Sequence, residues 1–394
     1  MKSLVNETIE KIKGDLVDLS LKIHSNPELS FEEYKAAGWI TDFMETRGFD
    51  VERGVANLPT AFKCTRKFGE GPVVSFLAEY DALPEIGHAC GHNLIAIMSI
   101  GAALGLAAAM EGSKVPGTVI LFGTPAEEGL GGKINMIDAG VFKGAEYGLM
   151  IHPGGDNIIN RGSTACQGIR VTFTGQNAHS SNPQNGINAL TALMQTFSNI
   201  ATLRALMPNS ANINGIITEG GTASNIITDK AVAKFTVRAK TLGDLMLVGE
   251  YFERAVKAAE VLIMAKAEIK KEPCYAETYP NRGINGALKD NMAALGVTMK
   301  EAPPDGKFGS SDIGNVSLVM PSIHSYLDIG CDMPGHTIEY TEASKSQKGH
   351  DVAIKGAIGL GLTGYDIMTN ADLRDKINKE FKESVPKYDM SKFK

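Results

Sequence analysis

The sequence predicts an α/β protein: a mostly parallel sheet covered by helices, with a second, smaller domain inserted into it. Three observations carry this prediction. Short apolar runs alternate with helical ones through the first 150 residues, which is the pattern of strands buried on both faces. Near Ala165 the pattern changes to half-exposed strands in the order β-α-β-β-α-β, the split βαβ sandwich. At 394 residues the chain is also longer than one typical domain.

The elements follow in order. Asn6 to His24 repeats apolar residues at helical spacing (Ile9, Ile12, Leu16, Leu19, Ile23), and Asn26-Pro27 ends it. A second helix is expected from Phe31 to Thr46. Val73 to Tyr80, Thr118 to Gly123 and Tyr147 to Ile151 read as buried strands. His92 to Met110 and Lys133 to Asp138 read as helices between them. In the inserted part, Gly168 to Thr174, Ile213 to Thr218, Ala231 to Ala239 and Glu268 to Thr278 read as strands, with helices from Ile187 to Leu206 and Leu242 to Ala267. Afterwards Gly286 to Leu295 is helical, Ser317 to Gly330 supplies strand material, and Ala343 to Met368 forms a long final helix. The charged tail from Asn370 is expected on the surface. These readings divide the chain into residues 1–164 with 279–394, and an inserted domain at 165–278.

Composition excludes several classes. The net charge is −6 and no basic run stands out, so nucleic acid is not an expected partner. The apolar run from Leu94 to Met110 falls just short of a membrane span and is rich in Ala and Gly, as a closely packed buried helix would be. No membrane partner is expected. The five cysteines show no paired spacing, and the start lacks a signal-peptide core; both point to a cytoplasmic protein with reduced thiols.

Chemistry concentrates in four segments, each placed after an apolar strand. They are Ala78-Glu79-Tyr80-Asp81-Ala82-Leu83-Pro84 with Gly87-His88-Ala89-Cys90-Gly91-His92-Asn93, then Gly123-Thr124-Pro125-Ala126-Glu127-Glu128-Gly129, and Met150-Ile151-His152-Pro153. In open parallel sheets, sites form at the carboxyl ends of strands, so Asp81, Cys90, His92, Glu127, Glu128 and His152 are expected to converge. Thiolate, imidazole and carboxylate are ligands of borderline divalent ions. Cys90 precedes a helix N-terminus, which favours the thiolate, and a thiolate has lone pairs enough to bridge two ions. Adjacent glutamates in an extended loop point opposite ways. Glu128 is therefore assigned as ligand and Glu127 as the base facing substrate. Asp81 is placed to accept the free N–H of His92 and fix its tautomer.

His88, His92, His152, His179, His324 and His336 stand in loop-like contexts beside glycine, proline or small polar residues, whereas His24 and His350 read as structural. His336 is the candidate for a last ligand; spacing alone leaves open whether it is a plain loop residue.

These segments resemble the peptidase family of aminoacylases, glutamate carboxypeptidases and plant auxin-conjugate amidohydrolases, in which a di-metal catalytic domain carries an inserted βαββαβ lid. The amidohydrolase branch has Asp-x-Leu-Pro, His-x-Cys-Gly-His, a Glu-Glu pair and a His after a strand. This chain shows all four. It is most similar to the branch holding β-alanyl-lysine dipeptidase and p-aminobenzoyl-glutamate hydrolase subunits, through Glu79 to Pro84, Gly123 to Glu128 and Gly309 to Ser317; the opening His24 to Ser30 also looks like the family's first helix end.

The resemblance implies metal-dependent hydrolysis of an amide bond in a dipeptide or N-acyl amino acid. It implies two divalent ions, zinc first, with manganese or cobalt as options. Cys90 would bridge them, with His92 and His152 on one ion and Glu128 and His336 on the other. Asp81 and Glu127 match the catalytic pair. Gly175 to Ser180 matches the lid segment whose histidine, here His179, reaches the neighbouring subunit's site, which implies a homodimer through the lid. Asn225 and Arg238 match positions that bind a substrate carboxylate. Ser311 stands where threonine is usual and Glu85 where glycine is usual, and the latter leaves substrate choice open. The alternatives are a p-aminobenzoyl-glutamate-type hydrolase, an N-acyl amino acid deacylase, and a catalytically silent metal-binding scaffold.

Overall fold

The structure is a computed structural model and describes residues 1–303 and 308–393. The chain forms two compact units: Met1–Gly162 with Thr278–Lys387, and Ser163–Glu277 with Tyr388–Lys394. The sequence reading left the last residues with the first unit. They go with the second because Phe393 O accepts from Gln167 Nε2 at 2.6 Å and the Tyr388 hydroxyl donates to Glu277 at 2.9 Å.

In the first unit α1 (Lys2–Lys11) and α2 (Lys13–His24) replace the single expected helix, broken at Ile12 with φ −102° and ψ 10°. The apolar period runs unbroken across the kink because both pieces face one core. α3 (Tyr34–Glu45) follows, then two short strands that the sequence did not signal, β1 (Asp50–Arg53) and β2 (Phe62–Lys67). Next come β3 (Val73–Ala78), α4 (His92–Ser113), β4 (Thr118–Gly123), α5 (Gly132–Asp138) and β5 (Tyr147–Gly154).

The second unit holds β6 (Ala165–Thr174), α6 (Ala189–Leu203), β7 (Asn212–Glu219), β8 (Lys230–Ala239), α7 (Leu242–Ile263) and β9 (Lys266–Tyr275). Its sheet is antiparallel throughout, in the order β7-β8-β6-β9. Strand β7 lies at the edge, with Ile216 and Ile217 exposed.

The chain then returns to the first unit through α8 (Arg282–Ala294), α9 (Ile313–Val319), β10 (Ser322–Asp328), α10 (Ile338–Ser344), α11 (Gln347–Thr369) and α12 (Ala371–Ser384). The strand expected from Ser317 begins at Ser322, because Ser317 to Val319 close helix α9. The charged tail forms a helix that buries Ile377.

The first unit's sheet runs β1-β2-β4-β3-β5-β10. Strands β4, β3, β5 and β10 are parallel, and β2 and β1 add an antiparallel margin. Four parallel strands therefore end on one side, which fixes where their loops gather. Helix α4 lies across them, against α1, α2 and α11. Among the described residues it is the one helix long and apolar enough to cross a membrane, and 94% of its most apolar window is buried inside the protein.

Candidate metal centre

The loops after β3 and β4, the start of α4 and the end of β5 meet at the carboxyl ends of the parallel strands. Gly91 makes the turn into α4. Its φ of 75° lies in the left-handed region, and a Cβ there would stand 2.6 Å from Pro153 Cγ. The turn puts Cys90 and His92 side by side at the helix start, His92 fully buried. The His92 ring is oriented from behind: Nδ1 is 3.0 Å from Asp81 Oδ1 and 2.9 Å from Asp81 O. Asp81 Oδ2 accepts the backbone N–H of Glu128 at 2.9 Å, which ties the loop after β3 to the loop after β4. Burial works against the Asp81 charge, but His92 and that N–H hold its carboxyl below the ordinary value.

Cys90 Sγ lies 3.4 Å from His152 Nε2, and His152 Nδ1 lies 2.6 Å from Pro153 O. Burial pushes the His152 ring down to about 4, against a pull from Glu79, so it is a neutral donor. Burial also pushes the Cys90 thiol far up. A thiolate is held in such a place only with cations beside it.

Glu128 Oε1 lies 3.2 Å from His336 Nε2. His336 arrives from the loop between β10 and α10, at φ 68°, with its N–H on Ala89 O at 2.8 Å.

Three donor groups result, their atoms within 4.8 Å of one another: Cys90, His92 and His152; Cys90, Glu128 and His336; and His92, Glu127 and Glu128. Cys90 belongs to the first two. His92 Nε2 and Glu79 Oε2, buried and 3.4 Å apart, have no hydrogen-bond partner among the described residues, as atoms facing a cation would. Soft sulfur with imidazole and carboxylate suits a borderline divalent ion. The residues present fit two such ions.

Glu127 is buried, and burial with Glu79, Glu128 and Asp312 raises its carboxyl well above the ordinary range. A fourth carboxylate group, Glu79 with Glu127 and Asp312, already contains a cation. Lys133 Nζ, fully buried, holds Glu79 Oε1 and Asp312 Oδ1, each at 2.6 Å.

The sequence reading missed this lysine, since a lysine at a helix start is normally solvated. It also missed Glu33, fully buried, whose Oε1 accepts the N–H groups of Phe31 and Ala126 at 3.0 and 2.9 Å. His324, expected in a loop, lies inside β10 with its ring 5.4 Å from His152, and burial keeps it neutral. His24 bonds Thr341 O and His350 bonds Ser20 Oγ, both away from the donor groups. Glu85 is exposed at φ 67° in the Leu83–Gly87 turn, a left-handed position that favours glycine.

In the second unit His179 and Asn225 are neighbours: the N–H of Ser180 donates to Asn225 O at 2.9 Å, and His179 bridges Ile226. Both are exposed. His179 Nδ1 is engaged by Ser181, with its hydroxyl at 2.8 Å. Arg238 lies at the other end of β8, opposite Cys166 and Asn212. The structure therefore joins His179 with Asn225 and separates Arg238 from both.

Residues 162–262 match the family described as peptidase dimerisation domain. The chain is 36% identical to the Xaa-Arg dipeptidase of Mus musculus over 97% of its own length and 92% of that protein. It is 30% identical to one of the p-aminobenzoyl-glutamate hydrolase subunits of Escherichia coli over 74% of the chain and 65% of that protein. A dinuclear metal-binding peptidase of the M20 family from Bacillus subtilis shares the fold with a TM-score of 0.68 and 21% identity, over 91% of this chain and 99% of that one. Taken with the donor groups around Cys90, a likeness that runs nearly end to end makes the chain a member of the M20 metallopeptidase family and a metal-dependent hydrolase of amide bonds.

Proposed function

We propose that this chain hydrolyses dipeptides, with two divalent ions sharing Cys90, zinc being the first choice and manganese or cobalt the others. The observation that carries the reading is the membership of one thiol in two separate three-donor groups. Similarity to the Xaa-Arg dipeptidase over 97% of the chain favours a dipeptide with a basic carboxyl-terminal residue. The p-aminobenzoyl-glutamate hydrolase likeness keeps an aryl amide of glutamate as the second reading, and an N-acyl amino acid as the third.

Bound ions would supply an acidified water and a polarised carbonyl. The chain's residues do the rest. Glu127, on the loop after β4, takes the proton of the attacking water and returns it to the leaving amine. Asp81 keeps His92 in the tautomer whose Nε2 faces the ion. His179 steadies the oxyanion, and Asn225 and Arg238 hold the substrate carboxylate.

His179 and Asn225 lie at the end of the lid sheet remote from Ala165 and Ala239, which pair where the chain enters β6. We assign their action to a second copy's site, in a homodimer formed along the exposed β7 edge with its isoleucines. Cys64 and Cys331 are free thiols, which suits a reducing cytoplasm.

A panel of β-alanyl-lysine, β-alanyl-arginine, p-aminobenzoyl-glutamate and several N-acetyl amino acids, each with zinc, manganese or cobalt, tests the reading. Glu127→Gln should cut turnover by roughly 10²-fold or more with both ions retained. Loss of an ion instead would remove Glu127 as the base.

A further inference from the structure

The two donor groups that share Cys90 differ in charge. One contains the Glu128 carboxylate. The other has Cys90 with two imidazoles, His92 and His152, and no carboxylate. A divalent ion there would keep most of its charge in a buried pocket, where an unbalanced charge is costly.

Glu79 stands next to that position and is 1% exposed. Lys133 Nζ takes its Oε1 at 2.6 Å. Among the described residues its Oε2 has no hydrogen-bond partner, and it lies 3.4 Å from His92 Nε2. That nitrogen is the donor atom, since Nδ1 is engaged by Asp81.

Lys133 is itself fixed from the far side. Asp312 Oδ1 accepts from its Nζ at 2.6 Å, and Asp312 Oδ2 accepts its backbone N–H at 2.9 Å. One ammonium thus clamps Glu79 by one oxygen and leaves the other facing the His92 side.

We propose that Glu79 supplies the missing negative charge for the ion between His92 and His152, and that Lys133 is the positioning residue that fixes it there. This rests on the two-ion reading of the Cys90 cluster. The division of labour follows from the geometry. Without Glu79 the ion loses its balancing anion. Without Lys133 the Glu79 carboxylate loses its tether and is free to turn towards the ion as a full ligand. The two residues therefore act in opposite directions on that ion.

The test uses full-length protein stripped with a chelator and titrated with cobalt(II) alone, against a competing chelator of known affinity, with the visible absorption recorded. Wild-type protein is expected to take up two ions. Glu79→Gln, close to isosteric, is expected to weaken one ion by roughly 10–100-fold and leave the other unchanged, with Glu79→Asp recovering part of the loss. Lys133→Met is expected to bind that ion no more weakly than wild type, with an altered cobalt spectrum. Should Lys133→Met not fold, the Glu79 pair decides alone. Unchanged affinities for both ions in Glu79→Gln would overturn the proposal, as would equal weakening of both ions in both variants, the mark of a merely structural pair. Uptake of fewer than two ions by wild type would instead sink the two-ion reading, and this inference with it.

Discussion

Asp81 Oδ1 lies 3.0 Å from His92 Nδ1, both side chains buried, and the same carboxylate binds the Glu128 N–H through its other oxygen. One residue thus sets the tautomer of one proposed ligand and the backbone of another. Asp81→Asn presents an amide where His92 needs an acceptor, and its wrong rotamer sets an N–H₂ against the ring N–H. The variant should fold, lose roughly 10–100-fold in metal affinity, and recover part of its activity at high metal concentration. Wild-type metal affinity in Asp81→Asn would show that the ring orients itself.

Cys90 and His152 should differ in kind when removed. Cys90 is shared by two donor groups, whereas His152 belongs to one. Cys90→Ser is expected to lower occupancy of both ions, and His152→Ala of one only. Metal content by mass spectrometry after dialysis reads this directly. Equal loss in the two variants would argue against a bridging thiolate.

Glu33 carries a pH signature. Burial, with the Asp81 charge adding to it, raises its carboxyl from the ordinary 4.5 to about 7. Between those values the folded protein holds a proton that the unfolded chain has released. The stabilisation is therefore complete below about 4.5 and is lost as pH rises through 7, on the order of 3 kcal/mol in all. Glu33→Gln keeps an acceptor for the Phe31 and Ala126 N–H groups and cannot ionise. In chelator-treated protein, wild type should lose stability relative to Glu33→Gln on going from pH 5 to pH 8. A difference that stays flat across that range would exclude ionisation of Glu33 as its cause.

How much of this was legible in the sequence follows from burial. Val73–Ala78, Thr118–Gly123 and Tyr147–Gly154 are central parallel strands, so their apolar runs stood out and the polar motifs after them marked the site. Asp50–Arg53 is an edge strand with three charged residues in four, and no apolar pattern signals it. Ser317 to Val319 reads as the start of the following strand because the end of a short buried helix is as apolar as a buried strand. Cys90, His92 and Glu128 are residue types whose chemistry singles them out. Lys133 and Glu33 are types that belong on surfaces by default, and only the packed structure shows that each is fully buried beside the site. The short break at 345–346 that divides α10 from α11 was invisible for the same reason as the kink at Ile12: helical periodicity continues across a break when both pieces face one core.

His179 offers a test of assembly as well as chemistry. It is exposed and sits beside Asn225, and the role proposed for it is at a partner's site. His179→Ala alone should reduce turnover by about 10²–10³-fold with metal content unchanged. Glu127→Gln should be equally inactive. Mixed and allowed to exchange, the two dead proteins form heterodimers in which one site has both an intact Glu127 and a partner bearing His179. An equal mixture should therefore regain roughly a quarter of wild-type activity, because half the dimers are mixed and each restores one site of two. If both residues serve the same protomer's site, every site in the mixture keeps one defect and no activity returns.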